Sequence, residues 1–129
     1  MKIAIIFGTR PEIIKLSPVI RQLIKQKANF FIIHTNQHFS KTMDEIFIKE
    51  LTLPKPKYNL GLINVKNHGE MVGLMLIEIE KILLYEKPDL VIVQGDTNTT
   101  LAGALAASKL GIKLAHVEAG LRSYDRSMP

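Results

Sequence analysis

Two carboxylates, two cations and a histidine occupy settings in this chain that suit chemistry. Asp96 follows the apolar run Leu90-Val91-Ile92-Val93 through Gln94-Gly95, and Glu118 follows Leu114-Ala115-His116-Val117 and precedes Ala119-Gly120. A carboxylate at the end of a buried run is costly without partners, and a pair of them suits general acid–base work or stabilisation of a developing positive charge. Asp96 has a second reading, as N-cap of a helix that begins at Thr97; the two roles are compatible. Thr97, Thr99 and Thr100 place hydroxyls near that same helix start, where a phosphate or sugar could bind. Arg10 and Lys15 stand in Gly8-Thr9-Arg10-Pro11-Glu12-Ile13-Ile14-Lys15, at a helix start and one turn beyond it. That is a setting for an anion, although solvated side chains would look the same. Glu12 has capping-box spacing from Thr9 and reads as a cap rather than a catalyst. His116 and Glu118 are two apart on a strand and so share a face. His116, the deeper of the two, reads as a hydrogen-bonded core histidine.

Several classes of chemistry are excluded by what is missing. The Gly-x-Gly-x-x-Gly and Gly-x4-Gly-Lys-Ser/Thr phosphate loops are absent, as is the Gly-x-Ser-x-Gly elbow of hydrolases. His34, His38, His68 and His116 have no cysteine companions, because the chain has none. No zinc site is therefore expected, and no disulfide. The chain has 129 residues, with 17 Lys and Arg against 12 Asp and Glu for a net charge of +5. The charges are dispersed, which suits attraction of a small anion rather than nucleic acid. No apolar run is long enough to span a membrane and no signal peptide is apparent, so the expected location is cytoplasmic.

These groups must be positioned by alternating strands and helices. The pattern predicts a strand over 2–7, a helix from Thr9 to about Gln26, a strand over 30–35 and a shorter helix from Ser40 or Lys41 to Lys49. A short edge strand is expected at Tyr58-Asn59-Leu60, because prolines and a glycine discourage helix between Thr52 and Asn67. A strongly apolar helix follows over 70–85, a strand over 90–93, a small-residue helix over 97–110 capped by Gly111, and a strand over 113–118. The fold class is α/β: an open parallel Rossmann-like sheet, order 3-2-1-4-5, with helices on both faces. That order sets the tips at Gly8–Arg10 and Gly95–Thr97 side by side at the switch point, where ligands bind. The apolar stretch Met71–Leu84 is wider than an amphipathic stripe. It predicts either burial within the chain or a homodimer interface.

Taken together, Phe7-Gly-Thr-Arg-Pro-Glu-Ile-Ile-Lys15, Gln37-His38, Gly95-Asp-Thr-Asn-Thr-Thr100 and His116-Val-Glu-Ala-Gly-Leu-Arg-Ser123 resemble the non-hydrolysing UDP-N-acetylglucosamine 2-epimerases. The resemblance implies two Rossmann-like domains in the GT-B arrangement, with no metal or nicotinamide cofactor. It implies interconversion of UDP-N-acetylglucosamine and UDP-N-acetylmannosamine by expulsion and re-addition of UDP, in polysaccharide biosynthesis. It also implies Asp96 and Glu118 as catalytic carboxylates, and Arg10 and Lys15 as substrate contacts. Gln37 and His38 fall where some relatives bind a second, regulatory nucleotide sugar; His116 and Arg122 stand as further secondary candidates. Residues 1–129 then correspond to the N-terminal domain. A third catalytic carboxylate and the C-terminal nucleotide-binding domain are expected beyond Pro129, and the isolated piece is expected to be inactive. A hydrolysing 2-epimerase, a non-catalytic nucleotide-sugar or partner-binding module and, more remotely, a glycosyltransferase are the competing readings.

Overall fold

Alternation within the first strand decides the architecture. In β1 (Lys2–Phe7), Ala4 and Ile6 face one side, while Ile3, Ile5 and Phe7 face the other, and all are buried. A strand covered on both faces belongs in the interior of a parallel sheet. In the computed structural model, which describes residues 1–36, 41–62, 65 and 67–125 and only the backbone of 41–45, that is its place. β2 (Asn29–His34), β3 (Tyr58–Asn59), β4 (Leu90–Gln94) and β5 (Lys113–Val117) join it in the order β3-β2-β1-β4-β5, and every pairing is parallel. This is the expected order, with β1 and β4 adjacent.

The two faces carry different helices. Ile13, Leu16 and Ile20 of α1 (Arg10–Lys25) and Ile48 of α2 (Lys41–Glu50) pack on Ile3, Ile5, Ile32 and Ile92. Met75, Ile79 and Leu83 of α3 (His68–Glu86) and Ala102, Ala106 and Ala107 of α4 (Asn98–Lys109) pack on Ile6, Ile33, Val91 and Val93. The alanines let α4 approach the sheet closely. At Gly103 an added Cβ would stand 3.0 Å from Val93 Cγ1 and 3.2 Å from Ile6 Cδ1. α4 ends as expected at Gly111, whose φ of +68° closes the helix, with Ile112 N–H donating to Ala107 O at 2.9 Å.

α3 answers the question its apolar sequence raises. Its inner stripe is buried on the sheet, but Leu74, Ile77 and Leu84 are 37%, 50% and 56% exposed on its other side. Among the described residues, the chain thus covers only one side of this helix. α3 also starts two residues earlier than expected, at His68. At the amino edge of the sheet, its last residue, Glu86, is buried and gathers Lys2 Nζ, Lys57 Nζ and the Tyr58 hydroxyl. Those three donors, Lys2 foremost, hold its carboxyl down to about 2. No helix among the described residues is long and apolar enough to cross a membrane.

Candidate active site

At the opposite, carboxyl edge, β1, β4 and β5 release their chains toward one another. β4 turns at Gly95, whose φ of +75° is the left-handed region that glycine enters at little cost. The turn is fastened to β5 from both sides. Gly95 N–H donates to Val117 O at 3.1 Å, and His116 Nε2–H donates to Gly95 O at 2.6 Å. His116 is therefore no core histidine: it is exposed, because β5 is an edge strand among the described residues, and it braces the β4 tip.

The N-cap of α4 is Thr97, not Asp96. The Thr97 hydroxyl accepts from Thr100 N–H at 3.2 Å. This frees Asp96, which is exposed at the cleft with no hydrogen-bond or ion-pair partner among the described residues. An uncommitted carboxylate at a switch point is available to a ligand, whereas a capping one would be occupied.

Glu12 does more than cap. It is 1% exposed and joins the two helix starts. Its Oε2 accepts from Gly8 N–H at 3.0 Å, Thr9 N–H at 2.7 Å and the Thr9 hydroxyl at 2.8 Å. Its Oε1 accepts from the Thr97 hydroxyl at 2.8 Å. Burial pushes the carboxyl above its ordinary value, and the hydrogen bonds from Thr9, Gly8 and Thr97 oppose that rise.

Glu118 lies one residue past the end of β5, with φ +63°. The expected strand therefore stops short of it. Its carboxylate still faces the cleft, because two other elements hold it there. Lys15 Nζ, from the second turn of α1, reaches Oε1 at 2.7 Å and Oε2 at 2.6 Å. Gln94 Nε2, from the last residue of β4, donates to Oε2. The Lys15 and Glu118 side chains are 49% and 24% exposed, so this pair contributes only about 0.2–1 kcal/mol. Gln94 was missed in the sequence, although an amide ending an otherwise aliphatic strand was a usable signal.

The resulting open cleft has a volume of about 570 Å³ and is lined by Glu12, Lys15, Gln94, Asp96, His116 and Glu118, among others. Arg122 also lines it, with Nη1 donating to Ala119 O at 2.9 Å. Arg10 does not: its guanidinium carbon lies 5.7 Å from the centre of the Phe47 ring of α2. Gln37 and His38 lie outside the described residues. The arrangement offers two separate carboxylates, Asp96 and Glu118, and two cations, Lys15 and Arg122, around one opening beside the buried Glu12, a geometry that can bind an anion and exchange protons beside it.

Known proteins share this sequence and this fold. The chain is 69% identical, over its whole length, to UDP-N-acetylglucosamine 2-epimerase from Methanocaldococcus jannaschii, of which it covers 35%. A crystal structure of that enzyme in complex with UDP-GlcNAc and UDP superposes with a TM-score of 0.94, covering 100% of this chain and 35% of that one. UDP-2,3-diacetamido-2,3-dideoxy-D-glucuronate 2-epimerase from Pseudomonas aeruginosa is 54% identical over the whole chain, which covers 36% of it. The chain thus spans about a third of the length of these relatives. The family model for UDP-N-acetylglucosamine 2-epimerase matches residues 21–129. With that match extending over most of the sheet and through both carboxylates, the chain belongs to the UDP-N-acetylglucosamine 2-epimerase family.

Proposed function

We propose that these residues form the N-terminal catalytic half-site of a non-hydrolysing UDP-N-acetylglucosamine 2-epimerase. The observation that carries this reading is the convergence of Asp96, Glu118 and Lys15 on one cleft from β4, β5 and α1. Inverting a carbon by elimination and re-addition removes a proton from one face of the sugar and returns one to the other, which asks for separate groups. Asp96 and Glu118, on different strand tips, suit that division. Positive character at C1 as UDP departs is stabilised by the same carboxylates, and Lys15 faces the diphosphate. Arg10, which stacks on Phe47, then serves the substrate only by swinging from that ring. The reaction needs no metal or cofactor. A second domain carrying the uridine contacts and the remaining catalytic groups completes the site, and the enzyme works in the cytoplasm.

The uncovered stripe of Leu74, Ile77 and Leu84 on α3 supports a homodimer, with a second copy of α3 as the partner; sedimentation of the Leu84→Glu variant tests it. The 54% identity to the diacetamido-glucuronate epimerase favours, as second reading, a UDP-2-acetamido sugar with a different C3 or C6 group.

The deciding experiment assays the complete enzyme with UDP-N-acetylglucosamine in deuterium oxide. UDP-N-acetylmannosamine carrying deuterium at C2 is expected, with a loss of about 10²–10⁴ in Asp96→Asn or Glu118→Gln. Free N-acetylmannosamine plus UDP would assign the hydrolysing reaction instead, and absence of turnover would leave a binding module.

A further inference from the structure

Among the described residues, the Glu118 carboxylate has two donors of different character. Gln94 is the last residue of β4 and is 2% exposed, with its backbone paired to Val117 of β5 and its carbonyl accepting from the Thr100 hydroxyl. Lys15 is half-exposed on a flexible four-carbon stem. Glu118 itself stands at φ +63°, a conformation that persists in a non-glycine residue only when its surroundings hold it.

We propose that Lys15 is the exchangeable counter-ion of Glu118 and Gln94 is its permanent anchor. This rests on the reading that a nucleotide diphosphate enters the cleft. An entering diphosphate carries more negative charge than one carboxylate and draws Lys15 to itself. It has no equal claim on the neutral, buried amide of Gln94. Ligand entry therefore strips Glu118 of its cation without moving it. The carboxylate is neutralised while the cleft is empty and becomes an available base once substrate is bound. Gln94 is a positioning residue in this scheme, and Lys15 couples occupancy to the readiness of Glu118. The ion pair is half-exposed and weak, so exchanging it reduces ligand affinity by only a few-fold.

Inorganic pyrophosphate and UDP-N-acetylglucosamine, titrated separately into the ¹³C,¹⁵N-labelled complete enzyme, test this by calorimetry and NMR. Glu118→Gln should tighten pyrophosphate binding about two- to five-fold, the size of a half-exposed ion pair. In the Lys15→Met background the same substitution should leave binding nearly unchanged. Equal tightening in both backgrounds would show plain charge repulsion by Glu118 and overturn the exchange. At saturation, the Lys15 ¹³Cε and Glu118 ¹³Cδ resonances should move with one midpoint, while the Gln94 side-chain amide stays where it was. A Gln94 amide that moves to a free-amide position would overturn its role as anchor. If the pyrophosphate cycle shows the coupling but UDP-N-acetylglucosamine does not bind, the epimerase reading fails and the exchange stands. If UDP-N-acetylglucosamine binds without the coupling, the exchange fails and the reading stands. Binding of neither ligand overturns both.

Discussion

Glu12 and Thr97, 85 residues apart in sequence, meet through a 2.8 Å hydrogen bond from the threonine hydroxyl to carboxylate Oε1. The other oxygen of Glu12 holds Gly8 and Thr9, so one buried group joins the tips of β1 and β4. Thr97 is the residue after Asp96 and the N-cap of α4, and Thr100 Oγ1 donates in turn to Gln94 O at 2.5 Å. The positions of Asp96 and Gln94 are thus referred back to a residue of α1. A carboxylate suits this task because it accepts several hydrogen bonds at once and donates none.

Replacing Glu12 separates the joint from generic packing. Glu12→Ala leaves buried donors at Gly8, Thr9 and Thr97 without their acceptor, and about 2–4 kcal/mol of stability should be lost. Glu12→Gln should cost about half as much, because the Thr97 hydroxyl can turn to accept from the amide nitrogen. Urea unfolding measures both. An alanine variant within about 0.5 kcal/mol of the parent would mean that the tips hold each other without Glu12.

Stability against pH should report two carboxyls with opposite signs. The Glu86 carboxyl, held to about 2 by Lys2, Lys57 and Tyr58, has a folded value below its ordinary 4.5. Its contribution is fully present above about pH 4.5 and is lost as the pH falls toward 2. The Glu12 carboxyl is raised by burial, so the native state holds that proton more tightly and its contribution falls as the pH rises above the ordinary carboxyl value. Thermal unfolding between pH 2 and 7 should show a shallower acid limb in Glu86→Gln than in the parent. Superimposable acid limbs would mean that the Glu86 cluster does not hold in solution.

The sheet order was legible because the strands are short apolar runs bounded by turn residues, and a helix lies between each strand and the next. The meeting of the β1, β4 and β5 tips followed from that order. What was not legible lay in backbone conformation and edge exposure. Glu118 turns left-handed one residue past the strand, which no side-chain pattern encodes. His116 obeys strand alternation, yet an edge strand leaves it in the open, and exposure depends on what lies beside β5 rather than on β5 itself. Asp96 and Thr97 are both good N-caps, and the φ of +75° at Gly95 shifts the cap to the second of them. Arg10 starts the helix as expected, but a side chain at its first position can lean either way, and Phe47 decides the direction.

Gly103 tests how closely α4 must sit on the sheet. In an exposed helix, Gly→Ala would add about 1 kcal/mol of stability. Here the new methyl would stand 3.0 Å from Val93 Cγ1 and 3.2 Å from Ile6 Cδ1, both on fully buried β-branched side chains. Such neighbours have little freedom to move, and overpacking costs about 1–3 kcal/mol. Gly103→Ala should therefore be net destabilising by about 1 kcal/mol in urea unfolding. A gain in stability would show that α4 can lift off β1 and β4 without penalty.

Pro18 interrupts the middle of α1, and the residue before it repairs the gap. Proline has no N–H to give to Ile14 O four residues back; the Ser17 hydroxyl donates to that carbonyl instead, at 2.8 Å. Pro18 is exposed, so replacing it leaves the core intact. Pro18→Ala should raise stability by about 1 kcal/mol. That is less than the roughly 3 kcal/mol of an uncompensated interior proline, because Ser17 already serves the carbonyl and alanine loosens the unfolded chain. Ser17→Ala should cost about 1 kcal/mol in the parent and markedly less beside Ala at position 18, whose N–H takes over the Ile14 carbonyl. The double-mutant cycle reads this coupling directly in urea unfolding. An equal cost of Ser17→Ala in both backgrounds would mean that the hydroxyl matters for packing and not for the carbonyl that Pro18 leaves open.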